Sequence, residues 1–256
     1  MDDMAGRSMG KGCGQALDQL KTCLLTRKLI ACKATRNGGG AMKLELETYT
    51  PSEAEAITEV KQATVRNWRR AGHLPRQEGH ARYNLADMLV MFVMGMLVSR
   101  GTTPEAAKEF AGHAARAIFQ STIWSTKAFS DAVREQAKTE LGEISDDEVA
   151  HFKAQLGDEF RVDMLEMVRS QEIMIKAAEQ LAGISGMKHP NWLVIWADGS
   201  LEFFHDDEDT DDIFFGNIQY GAAYVQGPVM LFCLGALAQM VIDRLPRPAI
   251  RLAEGA

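Results

Sequence analysis

The stretch Tyr49–Tyr83, YTPSEAEAITEVKQATVRNWRRAGHLPRQEGHARY, constrains this chain more than any other. Thr50 stands as an N-cap, Pro51 fits the first helical position and Glu53 falls at N3. A Thr cap with Glu at N3 satisfies two orphan amides reciprocally, and Pro at N1 loses no needed N–H. Ala54 and Ile57 share one face of the helix that follows, with Val60 just beyond it. A second helix is expected from Gln62 to Arg70, with Val65 and Trp68 inward. Thr64, Arg66, Asn67, Arg69 and Arg70 are left mainly on its other faces. Gly72 ends it, since glycine readily takes the left-handed C′ conformation. Pro75 to Tyr83 then reads as a short ribbon turning at Gly79.

Charge is concentrated in this head. Lys61, Arg66, Arg69, Arg70, Arg76 and Arg82 face one acid, Glu78, in a chain whose formal net charge is -7. A basic patch on an acidic protein is a local electrostatic device, and DNA phosphate is its natural counterpart. Arg66, Arg69, Arg70, Arg76 and Arg82 are the expected phosphate contacts, with His80 beside them on the ribbon. Gln62, Thr64 and Asn67 are the expected readers of base edges, where amide and hydroxyl groups find donors and acceptors.

The spacing YTPSEA…TVRNWRRAGHLPR…GHARYNLAD resembles the winged helix-turn-helix head of MerR-like transcription regulators. The residues that carry it are Thr64, Val65, Arg66, Asn67 and Trp68, then Gly72, Leu74 and Pro75, then Arg82 and Tyr83. The resemblance spans roughly Thr48 to Ala115 and implies double-stranded DNA as partner, with the second helix in the major groove. Two positions depart from it. Glu59 stands where such motifs carry a turn glycine, and a non-glycine residue at positive φ costs on the order of 1 kcal/mol. Lys61 stands where Ser or Thr would cap the second helix, and Glu59 is the expected compensating carboxylate near that helix start.

The length of 256 residues suits one large domain or two modest ones. Cys13, Cys23, Cys32 and Cys233 are too scattered for a disulfide framework or a zinc site. The longest apolar run, around Val229 to Ala238, is too short for a membrane span. No phosphate loop, zinc-protease helix or nucleophile elbow occurs. No catalytic residue, metal or cofactor is expected, and the expected location is the cytoplasm.

Residues 1–41 carry seven bases against three acids and several glycines. Two readings stand: a basic, disordered arm, or a mis-called extension ahead of a natural start at Met42. After Tyr83, Asn84 caps an apolar helix through Leu97, and Thr103-Pro104 begins the next, to about Phe119. A further helix is expected over Ser121 to Lys138, with Trp124 and Phe129 buried, and another starts at Ser145. Phe160, Met164, Met167, Gln171, Met174, Ala178 and Leu181 form a heptad-like seam, read either as a dimer helix or as a core helix. Trp192–Trp196 and Leu201–Phe204 flank Asp198-Gly199 as a hairpin, and Ile213–Phe215 is a candidate strand. The run from His205 to Asp212 reads as a solvated acidic loop, and Pro228 to Arg244 as an apolar helix.

The expected fold is therefore mainly α: a winged helix-turn-helix head at 46–118, a helical linker or dimerisation region at 119–186, and a small α+β C-terminal module at 187–256. The expected function is sequence-specific transcriptional regulation by a homodimer. The C-terminal module is a candidate contact for RNA polymerase or another protein. The alternatives are a phage-type architectural protein, such as an excisionase or small packaging subunit, and a protein-interaction adaptor with a degenerate head.

Overall fold

The computed structural model describes residues 42–76, 81–157, 160–185, 190–205 and 226–254, together with Ala222 and Tyr224. Residues 1–41, Gln77–His80 where the ribbon is expected to turn, the acidic run after His205 and the candidate strand at Ile213–Phe215 lie outside them. Among the described residues the chain is mainly helical, with short antiparallel strands.

The elements follow in order. Strand β1 is Leu44–Leu46, and helices α1 and α2 are Pro51–Thr58 and Gln62–Arg70. Helices α3 (Leu85–Ser99) and α4 (Pro104–Thr122) come next, then a single 3-10 turn at Thr126–Ala128. Helices α5 (Asp131–Leu141), α6 (Asp146–Leu156) and α7 (Val162–Ala182) precede strands β2 (Pro190–Ile195), β3 (Leu201–His205) and β4 (Met230–Cys233). Helix α8 (Leu234–Arg244) and strand β5 (Ile250–Leu252) complete the order.

Two compact units divide this chain. One, within Ala137–Ile173, has a small core of Phe152, Leu165 and Val168, with Ile144, Phe160 and Met164 packed against it. Arg169 is 8% exposed there, bonded to Glu148 and Glu172 and stacked 5.4 Å from the Phe152 ring. Two carboxylates and an aromatic face together satisfy a cation that burial would otherwise disfavour.

The other unit joins Ala41–Gln136 to Met174–Ala256. Its centre is α3, apolar on most sides and packed on α4 and α1. Asn84 caps α3 in a reciprocal box with Asp87, and Thr103 caps α4 ahead of Pro104. Helix α8 packs on both α4 and α1, and β5 pairs antiparallel with β1 through Leu44↔Leu252 and Leu46↔Ile250. The second sheet has the order β3-β2-β4, all antiparallel. Its hairpin turns where the sequence places it, with Gly199 at φ 84.

Three expectations need correction. The helix expected over Ser121–Lys138 is broken: α4 stops at Thr122 and α5 begins only at Asp131. Between them the chain is extended at Phe129, which bridges Ile250, while the Ser130 N–H donates to the Ile250 carbonyl at 2.9 Å. Phe129 is buried as expected, but Trp124 is only half-buried. The helix expected from Pro228 starts instead at Leu234, because Met230–Cys233 pairs with β2. A short apolar run suits a strand as well as a helix, and here a sheet partner decides.

In α7 the heptad seam is divided. Gln171, Met174 and Ala178 are buried, whereas Met167 and Leu181 are 48% and 37% exposed.

Candidate nucleic-acid interface

The head forms from the capping chemistry its sequence carries. The Thr50 side chain accepts the Glu53 N–H at 3.3 Å, and a Glu53 carboxylate oxygen accepts the Thr50 N–H at 2.7 Å. Ile57, Val60, Val65 and Trp68 are all buried, so α1 and α2 share one core. The Thr58 hydroxyl donates to the Ala54 carbonyl and accepts the Val60 N–H at 3.3 Å, satisfying a backbone donor inside the turn.

That turn passes through Glu59, at φ 60 the one non-glycine residue of positive φ among the described residues. The glycine position of the motif therefore keeps its left-handed backbone with a glutamate in it. The weak cap at Lys61 is also real, for Lys61 makes no side-chain cap bond. The compensation comes from a residue other than the expected one. Glu55, near the end of α1, accepts the Gln62 N–H at 3.3 Å and the Lys61 ammonium at 2.9 Å. The Lys61 bond, with the Gln62 N–H behind it, holds the Glu55 carboxyl below its ordinary range. Glu59 instead turns to Arg244 of α8, at 2.9 Å.

The outer face of α2 is open. Ala63, Arg66, Asn67 and Arg70 are exposed, Gln62, Thr64 and Arg69 are half-buried, and Val65 and Trp68 anchor the opposite face. Among the described residues Arg66, Arg70 and Arg76 form no ion pair with any carboxylate. Arg76 and Arg82 are exposed, and His80 lies outside the described residues. Arg69 differs from its neighbours. Its guanidinium sits 4.8 Å over the Tyr83 ring, and its Nε is buried without a hydrogen-bond partner.

The chain is pinned at Tyr83, just ahead of α3. Tyr49 and Tyr83 exchange backbone hydrogen bonds of 2.8 and 3.0 Å. Behind the C-terminus of α2, Gly72 takes φ 81 and its carbonyl accepts the Lys108 ammonium at 3.0 Å. His73 faces Glu105 at 3.4 Å. Helix α4 therefore supports the end of the exposed helix from below.

A second set of contacts, missed by sequence reading, ties the head to the C-terminal residues. Arg247 donates to Glu53 at 2.5 Å and to the Thr48 carbonyl at 2.6 Å, and it lies 4.6 Å from the Tyr49 ring centre. The Tyr49 hydroxyl returns a bond to the Arg247 carbonyl at 2.9 Å. The Arg247 hydrogen bond, backed by the Thr50 backbone N–H, lowers the Glu53 carboxyl to about 2. Burial raises the Tyr49 phenol, against the pull of the Arg247 guanidinium. Nothing in local spacing signals these pairs, which join residues almost two hundred positions apart.

Among the described residues no cluster of His, Cys, Asp or Glu is arranged to hold a metal ion. No described helix is long and apolar enough to cross a membrane.

Residues 49–113 match the family model described as MerR HTH family regulatory protein. The match covers about a quarter of the chain and coincides with the segment whose spacing carries the resemblance. No curated protein matches the chain. A head of this type supports a DNA-binding regulator in general terms.

Proposed function

We propose that this protein is a sequence-specific transcriptional regulator that lays α2 in the major groove of double-stranded DNA, with the ribbon between Pro75 and Tyr83 along the backbone. One observation carries the reading. The exposed side of α2 presents Arg66, Asn67 and Arg70 together, with no described carboxylate drawing the arginines inward, while Val65 and Trp68 fix the helix from behind.

Arg66, Arg70, Arg76 and Arg82 then serve as phosphate contacts, with His80 beside them, and Gln62, Thr64 and Asn67 as readers of base edges. Arg69 is the fifth phosphate contact of this reading, with its guanidinium braced against Tyr83. Two half-sites are read best by a symmetric pair, so the working form is a homodimer in the cytoplasm.

The test is binding to genomic duplex fragments across a salt series. Neutralising several phosphates makes affinity fall with salt at a log–log slope of about 0.9 per contact. A steep slope together with occupied sites at promoters is the expected result. Occupancy confined to recombination or packaging sites would favour a phage-type architectural protein. Absence of any salt-sensitive binding would leave the adaptor reading.

A further inference from the structure

The turn between α1 and α2 is strained, and a distant helix holds it. Glu59 adopts φ 60 and ψ 11 without being glycine. Backbone held in this region costs on the order of 1 kcal/mol or more, and persists only where the surroundings over-determine it. Arg244, the last residue of α8, supplies such a constraint. Its Nη1 donates to the Ile57 carbonyl at 3.1 Å, and its Nη2 meets the Glu59 carboxylate at 2.9 Å. One planar guanidinium thus caps an orphan carbonyl at the end of α1 and holds the residue that turns the chain towards α2.

The opposite end of α8 is equally committed. Leu234 follows Cys233 of β4 without a spacer, and β4 is hydrogen-bonded to β2 from Trp192 to Ile195. Sheet, helix, guanidinium and turn therefore form one unbroken series of contacts ending at the first residues of α2. Glu59 is 71% exposed, so the ion pair by itself contributes little energy in water. Its consequence is positional.

We propose that Arg244 is a positioning residue for DNA binding. It locks the strained Glu59 turn in the geometry that presents α2, and so couples DNA affinity to the placement of β4 and α8. The coupling rests on the DNA-binding reading given above, whereas the lock itself does not.

The experiment compares the full chain with R244A, E59G and the double variant E59G/R244A. Affinity is measured for a genomic duplex, and amide hydrogen exchange is followed from Glu59 to Val65. R244A should weaken binding by about fivefold to tenfold, within the usual range of coupling between sites, and speed exchange in the turn. Glycine at 59 removes the strain that the guanidinium restrains, so E59G/R244A should regain most of the lost affinity and protection.

Unchanged affinity in R244A overturns the coupling. Loss of affinity without recovery in E59G/R244A also overturns it, because a residue needed only for folding would not be rescued at the turn. If the unaltered protein binds no duplex, the DNA reading fails, and the exchange data alone decide the lock. Faster exchange in R244A that reverses in the double variant supports it, and exchange equal to that of the unaltered protein overturns it. Should R244A not fold, R244K replaces it under the same criteria, since an ammonium cannot fork over both acceptors.

Discussion

Glu55 accepts the backbone N–H of Gln62 at 3.3 Å, and so stands in for the N-cap that α2 lacks. The same carboxylate fixes Lys61, the residue in the cap position. An acceptor borrowed from the preceding helix satisfies one orphan donor and places negative charge at the positive end of the α2 dipole.

Replacing Glu55 by alanine should therefore loosen the start of α2 without unfolding the head. Faster amide exchange at Gln62–Val65 is expected, with little change in α3. Adding Lys61→Ser to that variant should restore protection, because a serine at the cap position supplies its own acceptor. Exchange that rises equally across the whole head would show that Glu55 acts on global stability instead.

Gly95 explains how closely the turn between α1 and α2 packs on α3. A Cβ at this position would stand 2.5 Å from Cγ2 of Val60, far inside contact distance. Gly95→Ala should destabilise the protein by about 1–3 kcal/mol, the usual range for overpacking. Removing the opposing methyl in the pair Gly95→Ala with Val60→Ala should recover much of that. Denaturant midpoints at constant m-value provide the measurement, and simple additivity of the two losses would refute the contact.

The Arg247–Glu53 pair gives a stability contribution with a defined acid limb. Glu53 has an ordinary value of 4.5 and a folded value of about 2, lowered first by the Arg247 hydrogen bond. A depressed carboxyl stabilises the fold above the unfolded value, and its contribution is lost as pH falls through the folded one. It is thus fully present above about 4.5 and fades towards about 2. Arg247→Ala should return the carboxyl towards its ordinary range and lower stability at neutral pH. The gap between the two proteins should narrow as pH drops through that window. Urea midpoints at a series of pH values would show it, and a gap independent of pH would assign the loss to the Tyr49 stacking and the Thr48 bond instead.

The head was legible from sequence because its signals are local. A cap, a proline, a buried Val–Trp pair and a helix-ending glycine each act within a few residues, and each takes the form expected. The departures at Glu59 and Lys61 were legible as well, but their compensation was not. Glu55 lies across a turn, and Arg244 and Arg247 arrive from the far end of the chain. No periodicity reports a contact of that separation. The helix expected over Pro228–Cys233 fails for the same reason, since pairing with Trp192–Ile195 decides the conformation of an otherwise ambiguous apolar run. The break at Phe129–Ser130 likewise depends on Ile250.

Arg66 and Asn67 are adjacent, both exposed, and differ in what they offer a duplex. A guanidinium without an internal ion-pair partner gains most from phosphate, which every sequence presents alike. A carboxamide can donate and accept at once, and that matches the adenine edge in the major groove. Arg66→Ala should weaken binding to all duplexes by a similar factor and reduce the salt slope by about one contact. Asn67→Ala should leave the salt slope unchanged and cost about 1–3 kcal/mol at preferred sites only, narrowing the gap to random DNA. Both quantities come from titrations of a preferred and a scrambled duplex at several salt concentrations. If the two variants lowered affinity and slope in the same proportion, the division between holding and reading on this helix face would be wrong.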